Sequence, residues 1–230
     1  MTPARAGCGT AGVGPPVSPI VDIDRNRRSR YGGAQVPVMR AAEIRTRRWT
    51  RLEYERLVEV GVFRPAERLE LLGGELIVAE PQGTRHAAVI ALVADVLRRD
   101  LGPAWHIRVQ APLALDEESE PEPDVAVVPG RPRDYLAAHP SEPALLVEVA
   151  GSSLALDRGE KASLYARAGV ADYWLVNLVD EVLEVHRQPA PDPSAPYGWR
   201  FATLTRLDRG RHIAPLAAPS VLIPVADLLP

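Results

Sequence analysis

The chain has 230 residues, of which 46% are hydrophobic and 25% charged, enough apolar content for one compact domain with an appended segment. Its one cysteine, Cys8, excludes a disulfide framework and a cysteine-built zinc site. No apolar run reaches the roughly 20 residues of a membrane span and no signal-peptide layout is present, so no membrane partner and a cytoplasmic location are expected. The net charge of −3 conceals an asymmetry, because residues 1–51 balance at +7 and residues 52–230 at −10. Such a basic tail can hold a nucleic-acid backbone near an acidic body, or can simply be a solvated tail.

Residues 1–40 are rich in Gly, Pro and Arg and lack a hydrophobic period. They read as a disordered extension, with a single domain over 41–230. Met39 stands at that boundary as a candidate second translation start. Thr50 with Glu53 forms a capping-box pattern for a first helix, with Leu52, Leu57, Val60 and Val62 as core candidates. The runs 68–72 and 75–79 flank Gly73-Gly74 and predict a β-hairpin. Thr84 is a candidate cap for a helix whose apolar positions are Ala87, Ile90, Ala91, Ala94, Leu97 and Leu101, ended by Gly102-Pro103.

Strands are predicted over 105–110, 113–115, 124–128, 144–150, 172–178, 182–187 and 199–204, with a proline-rich loop over 189–198. Another helix, with Asp157 as cap and Glu160 in the box position, is predicted to run to Gly169. The order of elements predicts an α/β fold with one central mixed sheet flanked by helices. The apolar runs 125–128 and 145–147 mark strands buried on both faces.

Asp124 opens one of these buried strands, and Glu148 lies inside another, Leu145–Ala150. An acid in such a strand must be paired, protonated or bound to metal. Two carboxylates converging at one end of a sheet can hold a hard divalent cation and leave positions open for water and phosphate. Ala150 occupies the position two residues after Glu148, where a same-face lysine would stand, but Lys161 on the next helix could reach back. Lys161 is the only lysine; the other 26 basic residues are arginine. A compact amine of tunable pKa is therefore used once, where arginine serves everywhere else.

The stretches 68–75 (RLELLGGE), 120–128 (EPEPDVAVV), 145–153 (LLVEVAGSS) and 157–174 (DRGEKASLYARAGVADYW) resemble the Uma-two family. That family is a branch of the PD-(D/E)XK nucleases in which the lysine has moved to the helix, and the resemblance covers roughly residues 45–190. It implies a restriction-endonuclease-like fold and a Mg²⁺-dependent endonuclease, with Mn²⁺ as a substitute, acting on nucleic acid and above all DNA. It makes Asp124, Glu148 and Lys161 the catalytic residues. Asp124 and Glu148 become the metal ligands, with Glu70 and the Val149 carbonyl as further donors. Two departures stand out: Gly73 and Asn177 occupy places where the family often has aspartate.

Other readings stay open. Asp124 could cap a turn, Glu148 could pair with Arg158, and Glu70 with Arg68 or Arg85. Tyr165 shares a helix face with Lys161 and reads first as core. His86, where the family often has histidine, reads first as a packed or capping residue; His106, His139, His186 and His212 show no ligand spacing. The acids Glu117, Glu118, Glu120 and Glu122 read as a solvated loop. No phosphate-binding glycine loop and no Gly-x-Ser-x-Gly elbow is present. The alternative function is a catalytically silent nucleic-acid- or protein-binding module that keeps the nuclease fold. A homodimer would suit two-strand cleavage.

Overall fold

The structure, a computed structural model, describes residues 46–64, 67–79 and 81–230. The arginine-rich 1–40 extension, its boundary with the domain, Cys8 and the Met39 start lie outside the described residues.

Helix α1 (Arg51–Glu59) begins with the predicted capping box: Thr50 accepts from the Glu53 amide, and the Glu53 carboxylate accepts the Thr50 N–H at 3.0 Å. Its core residue is Tyr54, packed with Leu69 and Leu71 and donating its hydroxyl to the Leu69 carbonyl at 2.7 Å. Leu52, Val60 and Val62 are instead exposed. The helix has only the Tyr54 side covered, because the next element, the hairpin of β1 (Leu69–Leu72) and β2 (Glu75–Val78), packs there.

Gly73 and Gly74 form the hairpin turn at φ +55° and +82°. A Cβ at Gly73 would lie 2.3 Å from Tyr197 Cε1, so a larger residue there would displace the tyrosine ring. On the other side of β1, Leu71 exchanges two backbone hydrogen bonds with Glu120, at 3.3 and 2.7 Å. That bridge ties the hairpin to the segment entering the central sheet.

The sheet has six strands: β3 (Trp105–Val109), β4 (Val125–Pro129), β5 (Leu145–Ala150), β6 (Asp172–Asn177), β7 (Val182–Pro191) and β8 (Trp199–Leu207), in that spatial order. Only β5 and β6 run parallel, so only they need a crossover helix. Strands β5 and β6 are buried at every position, as two-sided coverage requires.

One face packs on α2 (Thr84–Leu101) through Val125, Val127, Val147 and Trp174. The other packs on the crossover through Ala126, Leu146, Tyr173 and Leu175. The crossover has three parts: α3 (Leu154–Leu156), a π-helical turn Asp157–Lys161, and α4 (Ala162–Arg167). Alternation along β4 and β5 turns Asp124 and Glu148 to this second face. The small two-stranded pairing of β9 (His212–Ile213) with β10 (Ile223–Pro224) adds Ile213 and Ile223 to the first core.

Several local expectations are corrected. The cap of α2 is Gly83, without a side-chain bond, and Thr84 is already helical. The buried stripe of α2 is Val89, Ile90, Val93, Ala94, Val96 and Leu97, while Ala87 and Ala91 face outward. Residues 113–115 are no strand: Leu113 is buried, and the amides of Leu113 and Ala114 reach the Pro121 and Pro140 carbonyls. Strand β7 continues into the proline-rich segment, pairing Pro189–Pro191 with β8. Pairing with β6 ends at Arg187, so these prolines break no ladder on that side.

Asp172, at the start of β6 and fully buried, is a structural anchor. It accepts Arg187 Nε and Nη2 at 2.7 and 3.1 Å, Trp174 Nε1 at 2.8 Å and the Leu216 amide at 2.9 Å. Removing one partner of such a pair leaves its donors stranded, a cost of about 3–5 kcal/mol. Asp172→Ala is expected to lose that much in urea unfolding; a loss below about 1 kcal/mol would show that the cluster is replaceable.

Candidate active site

Glu148 on β5 faces the crossover helix and is 3% exposed. Its Oε1 accepts from Lys161 Nζ at 3.1 Å and from the Tyr165 hydroxyl at 2.6 Å; its Oε2 accepts the Asp124 amide at 3.1 Å. Lys161, 6% exposed, also lies 3.1 Å from Glu70 Oε2. Asp124 follows Pro123 just before β4, beyond the last register pair of β4 with β5. There Val149 has no β4 partner, and its amide donates to Asp124 Oδ2 at 2.9 Å. Extended backbone turns the Val149 carbonyl to the same side as its amide.

Glu70 is delivered by the hairpin. The Leu71–Glu120 bridge sets β1 beside residues 119–122, and the Glu122 amide donates to Glu70 Oε2 at 3.2 Å. Asp124, Glu148, Lys161, Glu70 and Val149 are thus brought together from four elements that are distant in sequence. The competing partners are engaged elsewhere. Arg158 forks onto Glu184, Arg68 binds Glu122 at 3.2 Å, and Arg85 pairs with Glu181. Asn177 donates its amide to Asp180 and Glu184 at 2.9 and 3.0 Å, which an aspartate could not do.

The π-helical turn decides how Lys161 arrives. The Ala162 amide reaches back five residues to the Asp157 carbonyl, which also accepts the Tyr173 hydroxyl at 3.1 Å. Asp157, expected as a helix cap, is 3% exposed and lines the site together with Lys161. Widened turns of this kind recur at functional sites because they re-aim side chains.

Burial pushes Glu148 up to about 8, against the pull of the Lys161 ammonium. Burial likewise raises Asp157 to about 6. Burial alone would lower Lys161, but the carboxylates of Glu148, Glu70 and Asp157 outweigh it and hold the amine protonated. Burial also lifts the Tyr165 phenol well above its usual range, so it stays a donor to Glu148. His86 Nε2 lies 3.2 Å from Asp124 Oδ2 but makes no aligned hydrogen bond. His186 is core, tilted against Tyr173 and edge-on to Phe201, and lowered to about 4 by burial.

Glu70, His86, Asp124, Glu148, Asp157 and Lys161 line a cleft of about 650 Å³, with Ile77, Val78, Leu178 and Val179 as apolar walls. Its side chains include five acids (Glu70, Glu122, Asp124, Glu148, Asp157) and three cations (Arg68, Arg85, Lys161), a formal balance of −2. Among the described residues, no group of three or more His, Cys, Asp or Glu side chains is arranged to hold a metal ion. Asp124 and Glu148 are two carboxylates, and Lys161 engages Glu70.

Sequence reasoning passed over Asp157 as a site residue, Gln110, whose Nε2 donates to Asp124 Oδ1 at 3.2 Å, and Glu122. Only Asp157 carried a signal, its spacing of four from Lys161. The acidic loop is also corrected, since Glu120 is 4% exposed.

The mixed six-stranded sheet, the crossover helix and the clustered carboxylates define a restriction-endonuclease-like α/β fold. Residues 52–208 match the Uma2 family, described as "Putative restriction endonuclease", and the chain belongs to that family. Among solved structures, it is similar in fold to "a putative nuclease" from Anabaena variabilis ATCC 29413. The TM-score is 0.58 at 17% identity, over 78% of this chain and 97% of that one. No curated protein matches the chain. No helix among the described residues is long and apolar enough to cross a membrane.

Glu120 gives a pH test of the hairpin junction. Burial raises its carboxyl from 4.5 to about 7, helped by its contact with Glu55. The folded chain holds this proton more tightly than the unfolded one, so the group costs stability as pH rises through that window and the cost persists above it. Glu120→Gln is expected to gain in melting temperature over wild type between pH 4.5 and 7.5 and hold the gain at pH 8. A difference independent of pH would contradict the assignment.

Proposed function

We propose that this chain is a metal-dependent endonuclease that hydrolyses phosphodiester bonds, with DNA as its substrate, in a single nuclease domain over residues 41–230. The observation that carries the reading is the buried Lys161 ammonium held between Glu148 and Glu70, with Asp124 hydrogen-bonded to the same strand end. Membership of the Uma2 family supports it.

The donor chemistry fits a hard divalent cation. Asp124 and Glu148 would hold Mg²⁺, or Mn²⁺ in its place, with the Val149 carbonyl and Glu70 as further oxygen donors. The excess of acids over cations lining the cleft would otherwise repel a phosphodiester. When bound, such an ion lowers the pKa of a water and neutralises charge on the phosphoryl oxygens.

The chain's own groups do the rest. Lys161 keeps its proton, so it acts as a cation: it fixes Glu148 and Glu70 and offers positive charge to the phosphate. Tyr165 holds Glu148 Oε1 in place from one helical turn further on. Arg68 and Arg85 stand on the cleft wall, each paired with an acid that an entering phosphate would have to compete with.

Lys161→Met removes the ammonium while Glu70 and Glu148 can take up protons. It is expected to lower the rate of DNA cleavage by about 100- to 1,000-fold, the loss typical of one preorganised charge, with circular dichroism confirming the fold. Wild-type rates in the folded variant would reject a catalytic role for this lysine.

A further inference from the structure

We propose that Gln110 is a positioning residue that sets the Asp124 carboxylate for a divalent cation, an inference that rests on the metal-dependent reading above. Gln110 directly follows β3 and has φ +46°. In that left-handed region Cβ crowds the following carbonyl, so a side chain there is disfavoured and glycine is the usual occupant. A long polar side chain kept at such a position needs a reason outside its own backbone.

The reason lies in its contacts. The Gln110 amide N–H donates to the Asp124 carbonyl at 3.1 Å, and Nε2 donates to Asp124 Oδ1 at 3.2 Å. The backbone bond fixes where Asp124 sits relative to β3; the side-chain bond fixes how its carboxylate is rotated. An aspartate χ2 is otherwise broad, and one donor leaves it free to swing. The Val149 amide holds Oδ2 at 2.9 Å from the β5 side. Gln110 supplies the opposing donor, so the carboxylate is clamped between strands on either side of β4. Each carboxylate oxygen has more than one acceptor site, and the clamp leaves the remaining lone pairs in a defined direction. An amide does this without charge. An arginine or lysine there would compete with a bound cation, and an acid would repel the Asp124 carboxylate.

The left-handed backbone makes the inference testable, because glycine removes the amide while relieving the strain. Full-length wild type, Gln110→Gly and Glu148→Ala would be titrated with Mn²⁺ by calorimetry, beside thermal unfolding without metal. Gln110→Gly is expected to unfold at the wild-type temperature or above, yet to bind Mn²⁺ about 10- to 100-fold more weakly, as for other partners of metal ligands. Binding lost in Glu148→Ala ties the heat to this site. Wild-type affinity in Gln110→Gly would overturn the positioning role and leave the metal site standing. Weaker binding with a lowered unfolding temperature would also overturn it, since loss of fold would account for the change. Absence of Mn²⁺ binding by the wild type would remove the metal-dependent reading and this inference with it.

Discussion

A single ammonium held almost out of water, Lys161 between Glu148 and Glu70, is the contact on which the site depends. Burying one carboxylate unpaired is costly, and burying several at one strand end is costlier still. The lysine offsets that cost only if it arrives at the right height on the right face. The π-helical turn provides this by placing Asp157 and Lys161 toward the sheet together. The sheet answers with Tyr173, whose hydroxyl meets the Asp157 carbonyl, and the helix with Tyr165, whose hydroxyl meets Glu148. Charge, helix geometry and core packing are coupled here, and none can be altered alone.

The hairpin belongs to the same arrangement. It packs on α1 through Tyr54 and is tied by the Leu71–Glu120 bridge to the segment that leads through Asp124 into β4. Glu70 therefore reaches the lysine because a glycine turn, a two-residue bridge and a buried tyrosine hold β1 in position. Gly73 leaves room for Tyr197, whose backbone amide donates to Ser163 on α4 at 3.0 Å. The hairpin and the crossover helix are in this way locked to each other as well as to the sheet.

Much of this was legible in the sequence, and the misses share physical causes. The buried strands announced themselves as unbroken apolar runs, and the acid within one of them, Glu148, could be explained only by a partner, a proton or a metal. Lys161 stood out as the only lysine. Asp157 was mistaken for a cap because a capping box and the first turn of a π-bulged helix share the same spacing of acids. Leu52 looks like core because periodicity cannot reveal how little covers a nine-residue helix, and Val60 and Val62 lie past its last residue, Glu59, and are exposed. Glu120 and Gln110 owe their roles to cross-strand contacts, and neither leaves a trace in local pattern.

In the proposed reading these carboxylates and this lysine serve metal-dependent phosphodiester cleavage. Its most direct test is incubation of supercoiled plasmid with the purified chain and Mg²⁺ or Mn²⁺, beside Glu148→Ala and an EDTA control. Nicking by the wild type, absent in EDTA and in the folded Glu148→Ala variant, is the predicted result. Equal nicking by Glu148→Ala, or no cleavage of any DNA form by a folded wild type, would contradict it.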